Sequence, residues 1–214
     1  MKKSVLSLSF AAGILLFGGC SKDDDSSPGT TSDYAHLTAG SNWTYKFTEG
    51  STPAETFKLT VTNKDTVVNQ KTYKVLTSTD GANSYIGKMD NNYYRLASFP
   101  SLGINTLEEL YLKSNEAVNA TWTNQTNVVY AGQTISANLT YTIKAKGESR
   151  TVLTNAYTNV IRVRLDIAAF GSTLGGGDFY YAEGVGLIES NILVTPPFAQ
   201  PYTAKQELIS SDLK

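Results

Sequence analysis

The stretch "IRVRLDI" occupies residues 161–167 and alternates without a break between apolar and charged side chains. Successive side chains of a β-strand point to opposite faces of a sheet, so this alternation predicts a strand with one buried and one solvated face. The same period of two recurs in "FKLTVT", residues 57–62, and in "LTYTI", residues 139–143. One solvated face favours antiparallel pairing, because parallel sheets are usually covered on both faces.

Turn signals separate the strand-like segments. Asp80-Gly81 stands between residues 73–79 and 84–89 and is a strong hairpin signal. Further turns are predicted at residues 90–92, 146–148 and 154–156, a glycine-rich loop at Gly171–Gly177, and one short helix at residues 102–112. We therefore expect an all-β fold, a curved antiparallel meander sheet of about eleven strands.

The amino terminus has the pattern of a signal peptide. Lys2 and Lys3 form a basic start, and Val5–Phe17 carries no charge and is mostly apolar. This segment is shorter than the ~20 residues that a transmembrane helix needs. Gly18 and Gly19 supply the small residues that a signal peptidase requires, so we predict a signal peptide over residues 1–19 with cleavage between Gly19 and Cys20.

Cys20 is the only cysteine in the chain. A disulfide would need a second cysteine, and a metal site would need more thiolates or imidazoles than Cys20 and His36 provide. The stretch Leu16–Cys20 resembles the bacterial lipobox, in which the cysteine is acylated and becomes the new amino terminus. Two or three acyl chains hold a protein stably on a membrane, so this resemblance implies a lipid anchor at Cys20.

The residues after the cysteine are acidic and then rich in serine. Nothing between Cys20 and Ser32 can form a core, which predicts a disordered tether over residues 20–37 and a single β domain over residues 38–214. The start of the tether also resembles the surface-export signal of Bacteroidota lipoproteins. The residues that carry this resemblance are Ser21, Lys22, Asp23, Asp24 and Asp25.

Charge excludes some classes of partner. Cleavage before Cys20 removes Lys2 and Lys3, which leaves 16 of the 18 basic residues against 19 acidic residues and a formal charge of −3. Nucleic-acid binding calls for a basic surface, and attraction to anionic lipid calls for basic clusters. We therefore predict no nucleic-acid partner, and a membrane contact made through the lipid anchor alone. The sequence does not determine the oligomeric state.

Four segments together resemble a broad family of Bacteroidota lipoproteins of unknown function. They share an opening G-x-x-W-x-Y pattern, a following hairpin, a strand and a closing Y-A-x-G-V-G-L pattern, and the resemblance covers nearly all of residues 38–194. The matching segments are residues 40–45 (GSNWTY), 68–75 (VNQKTYKV), 155–163 (NAYTNVIRV) and 180–188 (YYAEGVGLI). The resemblance implies the half-barrel of periplasmic lipoprotein carriers or a calycin-like (lipocalin) barrel, and it brings no catalytic residues and no cofactor.

Gly184-Val185-Gly186 lies within the last of these segments. Two glycines permit backbone conformations that other residues rarely adopt, so we interpret Gly184 and Gly186 as turn glycines. The alternative is a phosphate-binding loop, but no helix or lysine follows the glycines as that motif requires.

Candidate chemistry is sparse. His36 would have to serve any Ser-His-Asp triad, and it lies at the predicted tether's end. Two carboxylate pairs, Glu108 with Glu109 and Asp178 with Glu183, are available for a hydrolase, although surface carboxylates are the commoner explanation. Aromatic residues are numerous and suit a sugar platform, the mouth of a lipid pocket or an ordinary core. They are Trp43, Trp122, Tyr85, Tyr93, Tyr94, Tyr111, Tyr130, Tyr141, Tyr180 and Tyr181.

The function predicted from these features is non-enzymatic. We expect a lipid-anchored lipoprotein of the outer membrane, exposed at the cell surface, whose β domain binds an apolar or amphipathic small molecule. A glycan-binding or adhesion module and a structural envelope protein without a ligand stay open as alternatives. No metal and no cofactor is predicted.

Overall fold

A computed structural model describes residues 33–99, 104–130, 132–169, 171–195 and 200–214. Within these ranges the secondary structure is all-β, twelve antiparallel strands with no helix, which confirms the predicted fold class. None of the described segments is a helix long and apolar enough to cross a membrane. The strands are β1 (Asn42–Glu49), β2 (Glu55–Val68), β3 (Lys71–Ser78), β4 (Asn83–Met89), β5 (Asn92–Phe99), β6 (Ile104–Lys113), β7 (Thr121–Tyr130), β8 (Gln133–Val152), β9 (Asn155–Ala169), β10 (Ser172–Ala182), β11 (Gly186–Val194) and β12 (Tyr202–Asp212).

The described domain lies within one compact unit, Ser32–Lys214. The predictions for the signal peptide, for the cleavage site at Gly19 and Cys20 and for the export signal Ser21–Asp25 all lie outside the described residues.

All twelve strands belong to one sheet that curls into a nearly closed barrel. Its order is β6-β5-β4-β3-β2-β1-β12-β11-β10-β9-β8-β7, so each strand pairs with its neighbours along the chain and β1 also pairs with β12. Strands β6 and β7 are the two edges of the sheet, although they are consecutive in the chain. The meander is therefore continuous except at one seam, the gap between β6 and β7.

Side chains bridge this seam in place of a backbone ladder. The indole Nε1 of Trp122 on β7 donates to the Leu110 carbonyl on β6 at 2.7 Å. The amide of Asn124 donates to the same carbonyl at 3.2 Å and accepts from the Leu110 N–H at 3.4 Å. Unpaired edge groups invite pairing with other chains, so these contacts protect both edges of the sheet.

The predicted helix at residues 102–112 is wrong. Residues Ile104–Lys113 form β6, and Glu109 pairs in register with Arg95 of β5. Leu107, Glu109 and Tyr111 are all buried, a period of two that places them on one face of a strand. With this segment as a strand, the described sheet has twelve strands instead of the eleven expected.

Two predicted interruptions are also wrong. Gly171–Gly177 is no separate loop, because β10 runs through Gly175, Gly176 and Gly177. A Cβ atom on Gly176 would collide with the Leu165 carbonyl oxygen, and one on Gly175 with the Leu193 carbonyl oxygen. The glycines therefore allow close approach of neighbouring strands. Likewise the predicted turn at residues 146–148 is an irregularity inside β8, where Gly147 has a φ of 71°.

Other turn predictions are confirmed. Asp80-Gly81 joins β3 to β4, with Gly81 at a φ of 88°. Asp90, at a φ of 54°, begins the tight turn between β4 and β5.

The side chains of β9 alternate between a buried apolar face and a charged face, as predicted from residues 161–167. Ile161, Val163 and Leu165 are buried in a cluster that also holds Phe179 and Tyr181 of β10. Arg162 and Arg164 occupy the opposite face and reach Asp178 at 2.9 and 3.3 Å. One face of the sheet therefore lines the interior of the barrel, while the other carries paired charges.

Residues 33–37, which belong to the predicted tether, pack onto the barrel. Tyr34 and Ala35 are buried, and the Tyr34 N–H donates to the Tyr93 hydroxyl at 3.1 Å. The Asp33 carbonyl accepts from the Gly184 N–H at 2.6 Å. Its carboxylate lies 3.3 Å from the Lys88 ammonium. This segment closes one end of the barrel.

His36 belongs to the same end of the barrel. Its Nε2 lies 2.7 Å from the carbonyl oxygen of Lys214, at the chain's other end. The contact gives the imidazole of His36 a fixed partner on the backbone.

Candidate functional site

The turn between β10 and β11 holds both glycines that the sequence singled out. Gly184 has a φ of 74° and Gly186 a φ of 104°, conformations that favour glycine. The Val185 carbonyl in this turn accepts from the indole Nε1 of Trp43 at 2.8 Å. The Tyr45 hydroxyl donates to the Leu187 carbonyl, two residues further on, at 2.8 Å. The turn and the start of β11 are thus tied to β1, two strands away in the sheet.

Between these elements lies a cavity of about 260 Å³. An engineered cavity of roughly 150 Å³ lined by apolar residues is enough to bind benzene, so this one is large enough for an organic ligand. The rim reaches the exposed β3–β4 turn at Asp80 and Ala82. The walls are mostly aromatic and aliphatic, and they include Trp43, Phe57, Leu59, Leu76, Ile86 and Leu187.

One wall of the cavity carries a buried ion pair. The Arg95 guanidinium meets the Glu109 carboxylate through two hydrogen bonds, Nε to Oε2 at 2.6 Å and Nη2 to Oε1 at 2.7 Å. The Tyr141 hydroxyl donates to Glu109 as well. Burial opposes the charge on Arg95, but the adjacent Glu109 holds the pKa of Arg95 above its ordinary value. The guanidinium therefore stays charged.

Arg95 faces the cavity rather than bulk solvent. Its side chain keeps 34% of its surface accessible, whereas Glu109 keeps only 3%. Arg95 also lies over the rings of Tyr111 and Phe179, at 5.8 and 5.6 Å from their centroids, inside the barrel. Because Arg95 lines the cavity and its partners are buried, its accessible surface is cavity surface.

Two tyrosines stand beside Arg95 in the same wall. Tyr111 and Tyr181 are 5% and 3% exposed, and their ring centroids are 5.4 Å apart. Within the described part of the chain, no group is hydrogen-bonded to either hydroxyl. Burial raises the pKa of both hydroxyls, so they remain protonated donors at physiological pH.

The aromatic residues form a core and a cavity wall rather than an exposed platform. Trp43, Trp122 and five tyrosines (Tyr93, Tyr111, Tyr141, Tyr180 and Tyr181) are buried. Tyr85 lines the cavity, and the Tyr94 ring is covered by the Lys71 ammonium 4.5 Å from its centroid. The Tyr130 side chain lies outside the described residues. The coplanar exposed rings that a sugar platform requires are thus absent from these described side chains.

Neither carboxylate pair is assembled into a catalytic site. Glu108 reaches Asn69 and Lys71, whereas Glu109 points into the interior toward Arg95. Asp178 and Glu183 are five residues apart along extended chain, which corresponds to about 16 Å. Glycosidases need their two carboxylates within roughly 5 to 9.5 Å. No group of three or more potential metal ligands occurs within the described ranges.

The outer face near Asp178 is a network of paired charges. Arg150 lies 2.6 Å from Glu189 and stacks over the Tyr180 ring at 3.4 Å from its centroid. Lys205 lies 2.6 Å from Glu207. Glu189 and Glu207 are themselves buried, so the basic side chains beside them compensate carboxylates that would otherwise be buried without a partner.

The sequence reasoning missed Arg95 and missed the pairing of Glu109 with it. The available signal was the spacing of two residues, which places Tyr93, Arg95 and Ala97 on one face of β5. Tyr93 is an evident core residue, so Arg95 shares its face with the core. A charged residue on the apolar face of a strand calls for a buried partner of opposite charge. The sequence does not show which carboxylate lies across from it.

Comparison with known proteins supports the fold. No protein-family model matches the chain, and no curated protein matches it. Solved structures do match. A "putative exported protein with YmcC-like fold" from Bacteroides fragilis is similar at 10% identity and a TM-score of 0.51, covering 85% of this chain and 99% of that one.

Two further structures match less closely in shape. A "putative lipoprotein" from Parabacteroides distasonis has 11% identity and a TM-score of 0.49, covering 85% of this chain and 99% of that one. The "hypothetical lipoprotein YmcC" of Escherichia coli has 11% identity and a TM-score of 0.41, covering 82% and 86%. At such identities the likeness concerns the fold alone.

Proposed function

We propose that this chain is a lipid-anchored envelope lipoprotein whose barrel binds an amphipathic small molecule and catalyses no reaction. The observation that carries the proposal is the interior cavity of about 260 Å³, walled by aromatic and aliphatic side chains and open toward the β3–β4 turn. Ligand sites are typically concave, mostly apolar and supplied with a few polar groups, and this cavity has that composition.

Hydrogen bonds inside the barrel hold its strands around the cavity. Those from Trp43 and Tyr45 to Val185 and Leu187 tie β1 to the start of β11, two strands away in the sheet. The segment at residues 33–37 closes the end nearest the β10–β11 turn. A preformed cavity needs little ordering of the protein on binding, which lowers the entropic cost of holding a ligand.

Native mass spectrometry tests for a ligand. The mature chain from residue 20, carrying Cys20→Ser so that no lipid is attached, is purified without detergent. We expect a mass excess that denaturation releases as a small amphiphile. The apo chain, obtained by refolding, is then titrated with octanol and decanol. Because each buried CH₂ contributes about 0.8 kcal/mol, two more carbons are expected to tighten binding about 15-fold.

A pair of variants on one strand provides the control. Ser84 lines the cavity, while its neighbour Asn83 is exposed on the other face of β4. Ser84→Trp fills the cavity and is expected to abolish decanol binding, whereas Asn83→Trp is expected to leave it unchanged. Equal binding by both variants, or no binding by the parent chain, would contradict the proposed cavity function.

The anchor and the surface location form the second part of the proposal. It is supported by the lipobox-like stretch that ends at Cys20 and by the acidic residues that follow. Cells fed an alkyne-labelled fatty acid should label the wild-type chain and not Cys20→Ala. Replacing Asp23, Asp24 and Asp25 by asparagine should move the chain from protease-accessible to protected on intact cells while the label is retained.

A further inference from the structure

The cavity wall carries hydrogen-bond donors that have no acceptor among the described residues. Arg95 uses Nε and Nη2 for Glu109, and within the described residues no group accepts from its Nη1. The hydroxyls of Tyr111 and Tyr181 also lack partners there. The wall thus offers several unpaired hydrogen-bond donors in one place, because the Arg95 guanidinium lies 5.8 Å from the Tyr111 ring centroid, which lies 5.4 Å from that of Tyr181.

Unpaired donors on a cavity wall are open to an acceptor that is brought in from outside. Leaving a buried polar group without a hydrogen bond costs about 1–3 kcal/mol, so buried groups of this kind are rarely left without a partner. Tyrosine hydroxyls can also accept, but guanidinium cannot, and its planar N–H groups match the geometry of an oxyanion. The group that accepts from the guanidinium and from both tyrosine hydroxyls at once is therefore a compact anion.

Charge permits such an anion to enter. Arg95 and Glu109 together carry no net charge; among the described residues that line the cavity, Arg95 is the one cation and Asp80, at the rim, is the one anion. Glu109 lies behind Arg95 and is nearly inaccessible, so an incoming anion would meet the guanidinium first. Tyr141 donates to Glu109 and so lowers the charge density of the carboxylate.

The rest of the cavity suits a hydrocarbon tail. Phe57 and Leu59 on β2 line it and remain only partly buried by the protein. Phe57 stacks on Tyr45 with ring centroids 5.5 Å apart, which presents a flat apolar surface. Leu59 pairs with Ser78, two residues before Asp80 at the rim, so a tail that packs on Phe57 and Leu59 would run from Arg95 toward the opening.

We propose that the cavity binds a single-chain amphiphile with a compact oxyanion head group, such as a carboxylate, and that Arg95, Tyr111 and Tyr181 hold that head. This inference rests on the proposed function, because it names the ligand class of the same cavity. The head group accepts hydrogen bonds from Arg95 Nη1 and from the two hydroxyls, and the tail packs on Phe57 and Leu59.

The test compares two probes of equal chain length, decanoate and decanol, on the mature Cys20→Ser chain. Decanoate is expected to bind at least about tenfold more tightly than decanol, since hydrogen bonds from charged groups are the strong ones. The double variant Tyr111→Phe, Tyr181→Phe removes both donors and nothing else. It is expected to weaken decanoate binding by about tenfold or more and to leave decanol binding unchanged.

A matched control and a second variant accompany it. Tyr180→Phe removes a hydroxyl from the neighbouring residue on the opposite face of β10, and it should change neither affinity. Arg95→Met combined with Glu109→Gln removes the ion pair without leaving a buried charge unpaired. It too is expected to abolish the preference for decanoate. Thermal melting of each variant establishes that the barrel is folded.

The outcomes separate this inference from the function on which it rests. If decanol and decanoate bind with equal affinity, or if neither variant weakens decanoate, the head-group site is overturned while the apolar cavity stands. If neither probe binds the parent chain and no mass excess is released, both proposals fail. A preference for decanoate that the two variants remove, and that Tyr180→Phe retains, establishes the site.

Discussion

Replacing Tyr34 tests whether the segment before β1 is part of the folded domain. Tyr34 is only 6% exposed, and its ring meets the Tyr93 ring edge-to-face at a centroid distance of 6.5 Å. A buried tyrosine removes about 150–250 Å² from water, which at about 25 cal/mol per Å² gives an upper limit of roughly 4–6 kcal/mol. Large-to-small substitutions of buried aromatic residues cost about 3–5 kcal/mol.

We therefore expect Tyr34→Ala to lower the free energy of unfolding by about 3–4 kcal/mol. For a domain of this length 1 kcal/mol shifts the melting temperature by about 2–4 °C, so the Tm should fall by about 6–16 °C. The fall is measured by circular dichroism or tryptophan fluorescence during thermal unfolding. Urea unfolding supplies the free energy, with an unchanged slope if the compactness of both states is retained.

Tyr34→Phe is the matched control for this experiment. It keeps the ring, and the Tyr34 N–H that donates to Tyr93 is a backbone group that the substitution leaves in place. The Phe variant should lie within about 0.5 kcal/mol of wild type. If Tyr34→Ala melts together with Tyr34→Phe, the segment is not packed on the barrel, and the reasoning that it closes one end of the cavity is refuted.

Three further perturbations probe the sheet. Gly176→Ala would drive a Cβ atom into the Leu165 carbonyl, so we expect a loss of about 3 kcal/mol or more in urea unfolding, or no folded protein. Asn124→Ala removes both amide contacts to Leu110 across the seam, and hydrogen exchange at the edges of β6 and β7 should accelerate, with a stability loss of about 1–2 kcal/mol. Glu189→Gln should be more destabilising at pH 7 than at pH 3, measured by urea unfolding at both values.

The pH dependence of the last variant follows from its carboxylate. Burial opposes ionisation of Glu189, but hydrogen bonds from Arg150 and Asn191 hold its folded pKa below the ordinary 4.5. A depressed folded pKa contributes stability that is fully present above the unfolded pKa and is lost as the pH falls through the folded pKa. The difference between wild type and Glu189→Gln should therefore shrink below about pH 4.

Each perturbation has its own control. Gly50→Ala, at a turn where a Cβ atom would meet nothing within 4 Å, should cost only about 1–2 kcal/mol for its positive φ. Asn127→Ala lies on the same strand as Asn124 and is exposed, so edge protection should not change. Glu55→Gln, at an exposed carboxylate, should show no comparable pH dependence. If a control variant shows the same change as the variant it accompanies, the contact named for that variant is not the cause of the change.

Local patterns in the sequence were enough to predict strands, several turns and the curved antiparallel class. The alternation in residues 161–167 places Ile161, Val163 and Leu165 in the core, and it does so wherever the strand lies. Asp80-Gly81 makes its turn because glycine tolerates the φ of 88° that the turn requires. These properties depend on residues close together in the chain, and so they can be read from it.

The same local reasoning failed where packing overrides pattern. The glycines of β10 were predicted to form a loop because glycine usually interrupts strands. They are strand residues here because the carbonyls of Leu165 and Leu193 come too close for any side chain. Residues 102–112 lack clean alternation in sequence, and the strand form of residues 104–112 depends on pairing with β5 and on the ion pair that Glu109 makes with Arg95.

By itself, the sequence determined the all-β class, the core face of the clearest strands and the turn glycines, because each depends on backbone sterics or on a period of two. Only the tertiary structure decided that Arg95, Tyr111 and Tyr181 share one wall of a cavity, and that Tyr34 lies at its end. Those residues come from the segment before β1 and from β5, β6 and β10, up to 147 positions apart. Their proximity depends on how the whole sheet curls and closes. That curvature results from the registers of all the strand pairs together, and no single segment of the sequence specifies it.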